Sequence, residues 1–188
     1  MARLFEQYKA EHVKALQKKF GIKNTMDVPK LEKIVINMGV GEAISDMKIL
    51  DNAVLDLTRI AGQKPIITRS KKAISNFKLR EDLPIGCKVT LRRAAMYEFM
   101  DRLINFSIPR IRDFNGVSRK SFDKQGNYTM GITDQSIFPE VDTGRLQHQH
   151  GMDITFVFNK GPKEHTLELL SLFGMPFTKI RKVEEQAA

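Results

Sequence analysis

Cysteine occurs once in 188 residues, at Cys87. A single thiol excludes an internal disulfide framework and a cysteine metal cluster, and it fits a reducing compartment. No apolar run approaches the ~20 residues of a membrane span. The N-terminus, MARLFEQYKAEH, is charged from residue 3 and lacks the apolar core of a secretion signal. These absences point to the cytoplasm and away from a membrane. Acidic residues are under-represented: 31 Lys and Arg stand against 22 Asp and Glu, a net charge of +9 with a pI near 9.7. That imbalance makes nucleic acid the first class of partner to consider. Hydrophobic content of 41% is ordinary, and the length suits one domain with a real core. The expected organisation is a single domain over 1–188, with a basic projecting loop at about 66–85.

The shortage of acid is concentrated. From Lys64 to Arg80 there are six cations (Lys64, Arg69, Lys71, Lys72, Lys78, Arg80) and no carboxylate. A lone charge run is usually a solvated loop. Here Ile66, Ile67, Ile74 and Phe77 interleave with the cations, and Pro65 and Pro84–Gly86 bracket them. That composition describes an ordered arm, its cations without acidic partners to hold them down.

The patterns that carry enzyme chemistry are missing too. A strand, a Gly39-x-Gly41 turn and a helix suggest a dinucleotide fold, but position 44 is Ile where the third glycine is needed. No GK[ST] phosphate loop is present. His148 and His150 stand two apart with no third ligand at a metal spacing, so neither a metal nor a cofactor is expected. No nucleophile–base pair or carboxylate dyad stands out. His12 reads as a packed core-edge residue.

What remains is a clear succession of elements. Leu4, Tyr8, His12, Leu16 and Phe20 recur every four residues as a helical stripe, ended by Gly21. After Val28–Pro29, the segment Lys33–Val40 alternates, with Ile34, Ile36 and Met38 inward and Lys33, Val35, Asn37 and Gly39 outward. A helix follows over Asp46–Ala61 with Ser45 as its N-cap, burying Leu50, Ala53 or Val54, Leu57, Ile60 and Ala61. Cys87–Arg93 alternates again, placing Lys88, Thr90 and Arg92 outward. A helix over Ala94–Phe106 buries Met96, Phe99, Met100, Leu103 and Ile104 and is stopped by Pro109. Arg110–Val117 is irregular with an exposed Phe114. Ser121–Thr133 forms a hairpin turning at Asp123–Asn127, Thr133–His150 lacks periodicity, and Met152–Asn159 is a strand. A last helix opens at Gly161–Pro162 with proline at its first position and buries Leu167, Leu170 and Phe173; the tail RKVEEQAA is loose.

This order predicts an α+β fold: an antiparallel sheet with helices packed on one face in the split βαβ arrangement of RNA-recognition modules. The outward positions lack stacking aromatics, so the open face suits phosphates, 2′-hydroxyls and groove edges of structured RNA. Lys88 and Arg92 join that face as cations.

The segments VPKLEKIVINMGVGEA, LDLTRIAGQKPIITRSKKAISNFKLREDLPIGCKVTLR and MDITFVF resemble the bacterial large-subunit ribosomal proteins of the L5 family. The resemblance runs from the first helix to Gly174–Pro176, and Ile60, Ala61, Gly62, Gln63, Ile66, Thr68, Ser70, Lys71 and Ala73 fit the family signature. It implies a curved antiparallel sheet backed by helices. It also implies binding to 5S rRNA in the central protuberance, contact with P-site tRNA, and a bridge to a head protein of the small subunit, among large-subunit rRNA and neighbouring proteins. By resemblance the 5S contact falls on Lys33, Asn37, Gln63 and Thr90. The tRNA-facing loop carries Arg69, Lys71, Lys72, Lys78 and Arg80. Arg110–Asn115 and Ile132–His150 are the bridge candidates, with Arg110, Arg112 and Asp113 as named residues. The alternatives are a free-standing structured-RNA binder or RNA chaperone, and an enzyme.

Overall fold

The computed structural model describes residues 2–142, 144, 148–159 and 161–178. Alternating sequence becomes the three inner strands of a five-stranded sheet: β1 (Leu31–Gly39), β3 (Pro84–Leu91) and β5 (Met152–Phe158). β2 (Ile66–Arg69) and β4 (Tyr128–Ile132) form its edges. The strand order is β2-β3-β1-β5-β4, and every neighbouring pair is antiparallel. β1 and β2 are therefore parallel with β3 between them, and β3 and β5 are parallel with β1 between them. β1, the helix Met47–Ala61 and β2 form one split βαβ unit and β3, the helix Arg93–Arg102 and β5 a second, with β4 extending the sheet. The antiparallel α+β sheet was expected, but β2 stands where the sequence reading placed a loop.

Period-two burial decides which face is covered. Ile34, Ile36 and Met38 of β1 meet Cys87, Val89 and Leu91 of β3 and Ile154 and Phe156 of β5, all at most 2% exposed. Helix α3 (Met47–Ala61) packs on β3, and α4 (Arg93–Arg102) packs on β1. The opposite face of the sheet carries the outward residues of each strand.

The N-terminal stripe needs a correction to ideal geometry. At about 100° per residue, Leu4 and Leu16 would sit about 120° apart on a regular helix. The chain runs instead through α1 (Arg3–Gln7), a π-helical turn (Tyr8–His12) and α2 (Val13–Phe20). The wider turn absorbs one residue and brings the two leucines to within about 20° of one face. Leu4, Tyr8, His12 and Leu16 are all buried, while Phe20 is half-buried. The same device follows α4: a π-helical turn at Leu103–Ser107 keeps Met96, Met100, Ile104 and Ile108 inward. Gly21 and Gly62 end α2 and α3 in the left-handed conformation, at φ 65° and 67°.

Several boundaries differ from the sequence reading. Asp46, not Ser45, caps α3, its carboxylate accepting from the Lys48 N–H at 2.9 Å. Pro162 is itself the N-cap of α5 (Lys163–Leu172), and the buried stripe there is Thr166, Leu169, Leu170 and Phe173, with Leu167 half-buried. Phe114 is half-buried against the core. The first arm of the expected hairpin reduces to one bridge, Phe122 to Tyr128, around a turn where Asp123 accepts from the Gln125 and Asn127 N–H groups. In the irregular 133–150 connection, fully buried Gln135 donates to the His148 carbonyl at 3.0 Å and accepts from the His150 N–H. The RKVEEQAA tail lies outside the described residues.

Candidate nucleic-acid interface

Strand register turns the outward residues into rows across the uncovered face. In one row Ile66 of β2 stands opposite Lys88, Lys88 opposite Asn37, Asn37 opposite Asp153, and Asp153 opposite Gly131. In the next, Thr90 stands opposite Val35, Val35 opposite Thr155, and Thr155 opposite Thr129, where the two hydroxyls are 3.1 Å apart. Lys33 stands opposite Val157. Directly opposed side chains lie ~4.5–5.5 Å apart at Cβ. Lys33, Asn37, Lys88 and Thr90 therefore form one contiguous polar patch on the two central strands. Among the described residues neither Lys33 nor Lys88 makes an ion pair, so both charges are available to a partner.

Two other predicted residues sit at the margins. Gln63 lies exposed in the connection from the left-handed Gly62 to edge strand β2. β3 ends at Leu91, so Arg92 is not an outward strand residue but the N-cap position of α4. A bulge between Leu31 and Lys33 turns Glu32 outward, and Arg92 Nη1 reaches Glu32 Oε1 at 3.4 Å. Both side chains are about half exposed, so this pair contributes little and a polyanion could displace it.

The basic segment is a finger on the sheet edge rather than a loop from end to end. Ile66–Arg69 pairs with β3, which begins at Pro84. Gly86 permits the close approach: a Cβ there would lie 2.5 Å from the Met38 carbonyl oxygen. Beyond β2 the finger is tied by its own backbone. The Ser70 N–H donates to the Leu83 carbonyl at 2.9 Å, and the Asp82 N–H donates to the Ser70 carbonyl at 3.1 Å. Farther out, Ile74 and Leu79 exchange N–H···O bonds at 2.9 and 3.1 Å around a short tip that Lys78 closes at φ 53°. Arg69 does have an acidic partner, contrary to the sequence reading: its Nη1 is 3.0 Å from Asp82 Oδ2. Lys71, Lys72, Lys78 and Arg80 are exposed and form no ion pair among the described residues. Phe77 stands 70% exposed among them.

Arg110, Arg112 and Asp113 are exposed where the 3-10 turn Ile108–Arg110 leaves the helix layer, with Asp113 left-handed at φ 53°. Neighbouring Val117 is pinned by a bridge to Phe177. The 132–150 candidate is only partly described, because residues 143 and 145–147 fall outside the described set. The geometry therefore joins Lys33, Asn37, Lys88 and Thr90, sets the finger cations apart on the β2 edge, and leaves the 110–113 group on its own segment. Sequence reading missed Asp153, whose period-two place in MDITFVF was the available signal.

Burial pushes the Cys87 thiol up to about 11, which makes it a packing residue. No group of three His, Cys, Asp or Glu could hold a metal, and no helix is long and apolar enough to cross a membrane, among the described residues. A cavity of about 450 Å³ between α1 and the start of α4, floored by Ala2, Phe5, Met96 and Tyr97, includes none of the predicted site residues.

Comparison with known proteins matches this sequence along nearly its whole length. The family model for ribosomal protein L5 covers residues 24–80, and the model for the C-terminus of the same ribosomal family covers 84–177, so the two meet at the finger. The large ribosomal subunit protein uL5 of Clostridium beijerinckii is 56% identical over 179 residues, 95% of this chain and 100% of that protein. That of Clostridium kluyveri is 59% identical over 177 residues, 94% of this chain and 98% of its own. The class is thus a structural component of the ribosome, not an enzyme. The chain belongs to the ribosomal protein L5 family.

Proposed function

We propose that this chain is a constituent of the large ribosomal subunit in the bacterial cytoplasm, and that it attaches 5S rRNA in the central protuberance through its open sheet face. The observation that carries the reading is the contiguous row-on-row placement of Lys33, Asn37, Lys88 and Thr90 on a face that no helix among the described residues covers. Lysines there meet phosphates, while the amide and hydroxyl bond to sugar or base edges. Gln63 and Arg92 border the same site from the β2 edge and the α4 cap. The finger, with Arg69, Lys71, Lys72, Lys78 and Arg80, reaches P-site tRNA. Arg110, Arg112 and Asp113, with the 132–150 connection, meet a head protein of the small subunit. Large-subunit rRNA and neighbouring proteins complete the surroundings.

The test is the RNA that the purified protein carries. Stoichiometric 5S rRNA supports the reading. Heterogeneous RNA bound with little preference would replace it with that of an RNA chaperone.

A further inference from the structure

A carboxylate on a surface that meets a polyanion weakens binding unless the partner offers it donors. Asp153 is such a group. It is exposed on the open face near the start of β5, directly opposite Asn37 on β1 and Gly131 on edge strand β4. Gly131 leaves its flank open: a Cβ there would stand 3.5 Å from Asp153 Oδ1. Among the described residues it has no ion-pair or hydrogen-bond partner.

We propose that Asp153 and Asn37 together read the Watson–Crick edge of one guanine in the bound RNA. The inference rests on the open face being the RNA surface. An ionised carboxylate only accepts, so phosphate cannot satisfy it. Adenine, cytosine, uracil and the 2′-hydroxyl each present one donor group. Guanine sets N1–H beside N2–H, two adjacent donors for two carboxylate oxygens, and its O6 lies next to them. The Asn37 side chain, one strand away at ~5 Å between Cβ atoms, carries the NH₂ group that O6 accepts from. Duplex pairing would occupy that edge, so the guanine is unpaired, as in the loops that proteins read by sequence in RNA.

The deciding variant is Asp153→Asn in the full chain, assayed for 5S rRNA binding over a salt series. It removes a negative charge from a basic face, so charge alone predicts tighter binding. Guanine reading predicts the opposite: affinity falls by ~10- to 150-fold, because bonds to a charged acceptor are lost, and the salt slope holds. Kethoxal, which attacks guanine N1 and N2, should find one guanine protected by the wild-type protein and reactive again with Asp153→Asn, the rest of the footprint unchanged. Tighter or unchanged binding, or no guanine regaining reactivity, overturns the inference. Lys88→Gln and Asn37→Ala separate it from its foundation. If they weaken binding and Asp153→Asn does not, guanine reading alone fails. If all three leave binding unchanged, the open face is not the RNA surface and both readings fall.

Discussion

Ser70 and Leu83 clasp the neck of the basic finger. The Ser70 N–H donates to the Leu83 carbonyl at 2.9 Å, and the Leu83 N–H donates to Ser70 Oγ at 3.2 Å, while the same hydroxyl donates to the Arg80 carbonyl. Ser70 is 7% exposed in a segment where nearly every neighbour is exposed. Ser70→Ala removes two side-chain bonds and should cost about 1–2 kcal/mol of local order. Amide hydrogen exchange should quicken at Ile74, Leu79 and Leu83 while β1 and β5 keep their protection. Unchanged exchange at those three amides would show that the finger is held by something other than this clasp.

His12 gives a pH dependence. Burial lowers its pKa below the ordinary 6.5, opposed by nearby Glu11, and its ring packs edge-on against Phe173 with Nδ1 buried and without a hydrogen-bond partner among the described residues. His150 is also lowered, chiefly by burial. The unfolded chain therefore binds protons at a higher pH than the folded one. Stability is complete above the unfolded value and declines as pH falls through about 6.5, levelling off below the folded values, with a slope of at most about 1.4 kcal/mol per pH unit for each histidine. His12→Phe keeps the ring contact and removes the titrating group. Urea unfolding at pH 7.5 and pH 5 should show a smaller loss for the variant than for the wild type; equal losses would exclude His12.

Much of the fold was legible because burial imposes a period. β1, β3 and β5 alternate, and α3 and α4 carry apolar stripes, so the outward places of Lys33, Asn37, Lys88 and Thr90 followed from parity alone. β2 was not legible. Ile66 and Ile67 point to opposite faces and both stay exposed, so an edge strand that buries neither face leaves no alternation to find. The Arg69–Asp82 pair spans 13 residues and exists only once β2 folds back on β3. Asp153 was passed over because the strand was read for its apolar face.

The proposal gives the finger and the sheet face separate electrostatic roles, which a salt series distinguishes. Changing Lys71, Lys72, Lys78 and Arg80 to Gln would flatten the salt dependence of 5S binding by roughly 3 units if all four touched that RNA. The expected outcome is a 5S affinity and slope that barely move, with weaker retention of P-site tRNA on assembled ribosomes. A slope change near 3 would move the finger onto 5S rRNA.

Arg110, Arg112 and Asp113 should behave differently again. Replacing the three with Ala should weaken joining of the subunits, read by sedimentation at limiting magnesium, and leave 5S affinity within about twofold, since polar contacts on exposed loops are individually modest. Loss of 5S binding would assign these residues to the RNA site.

Filter binding of 5S rRNA to Asn37→Ala, Gln63→Ala and Thr90→Ala tests the central claim most directly, with circular dichroism confirming the fold. On the proposed reading each substitution would leave an RNA group unpaired in a closed interface and lower affinity by ~5- to 150-fold. Wild-type affinity in all three folded variants would contradict the assignment of the open sheet face to 5S rRNA.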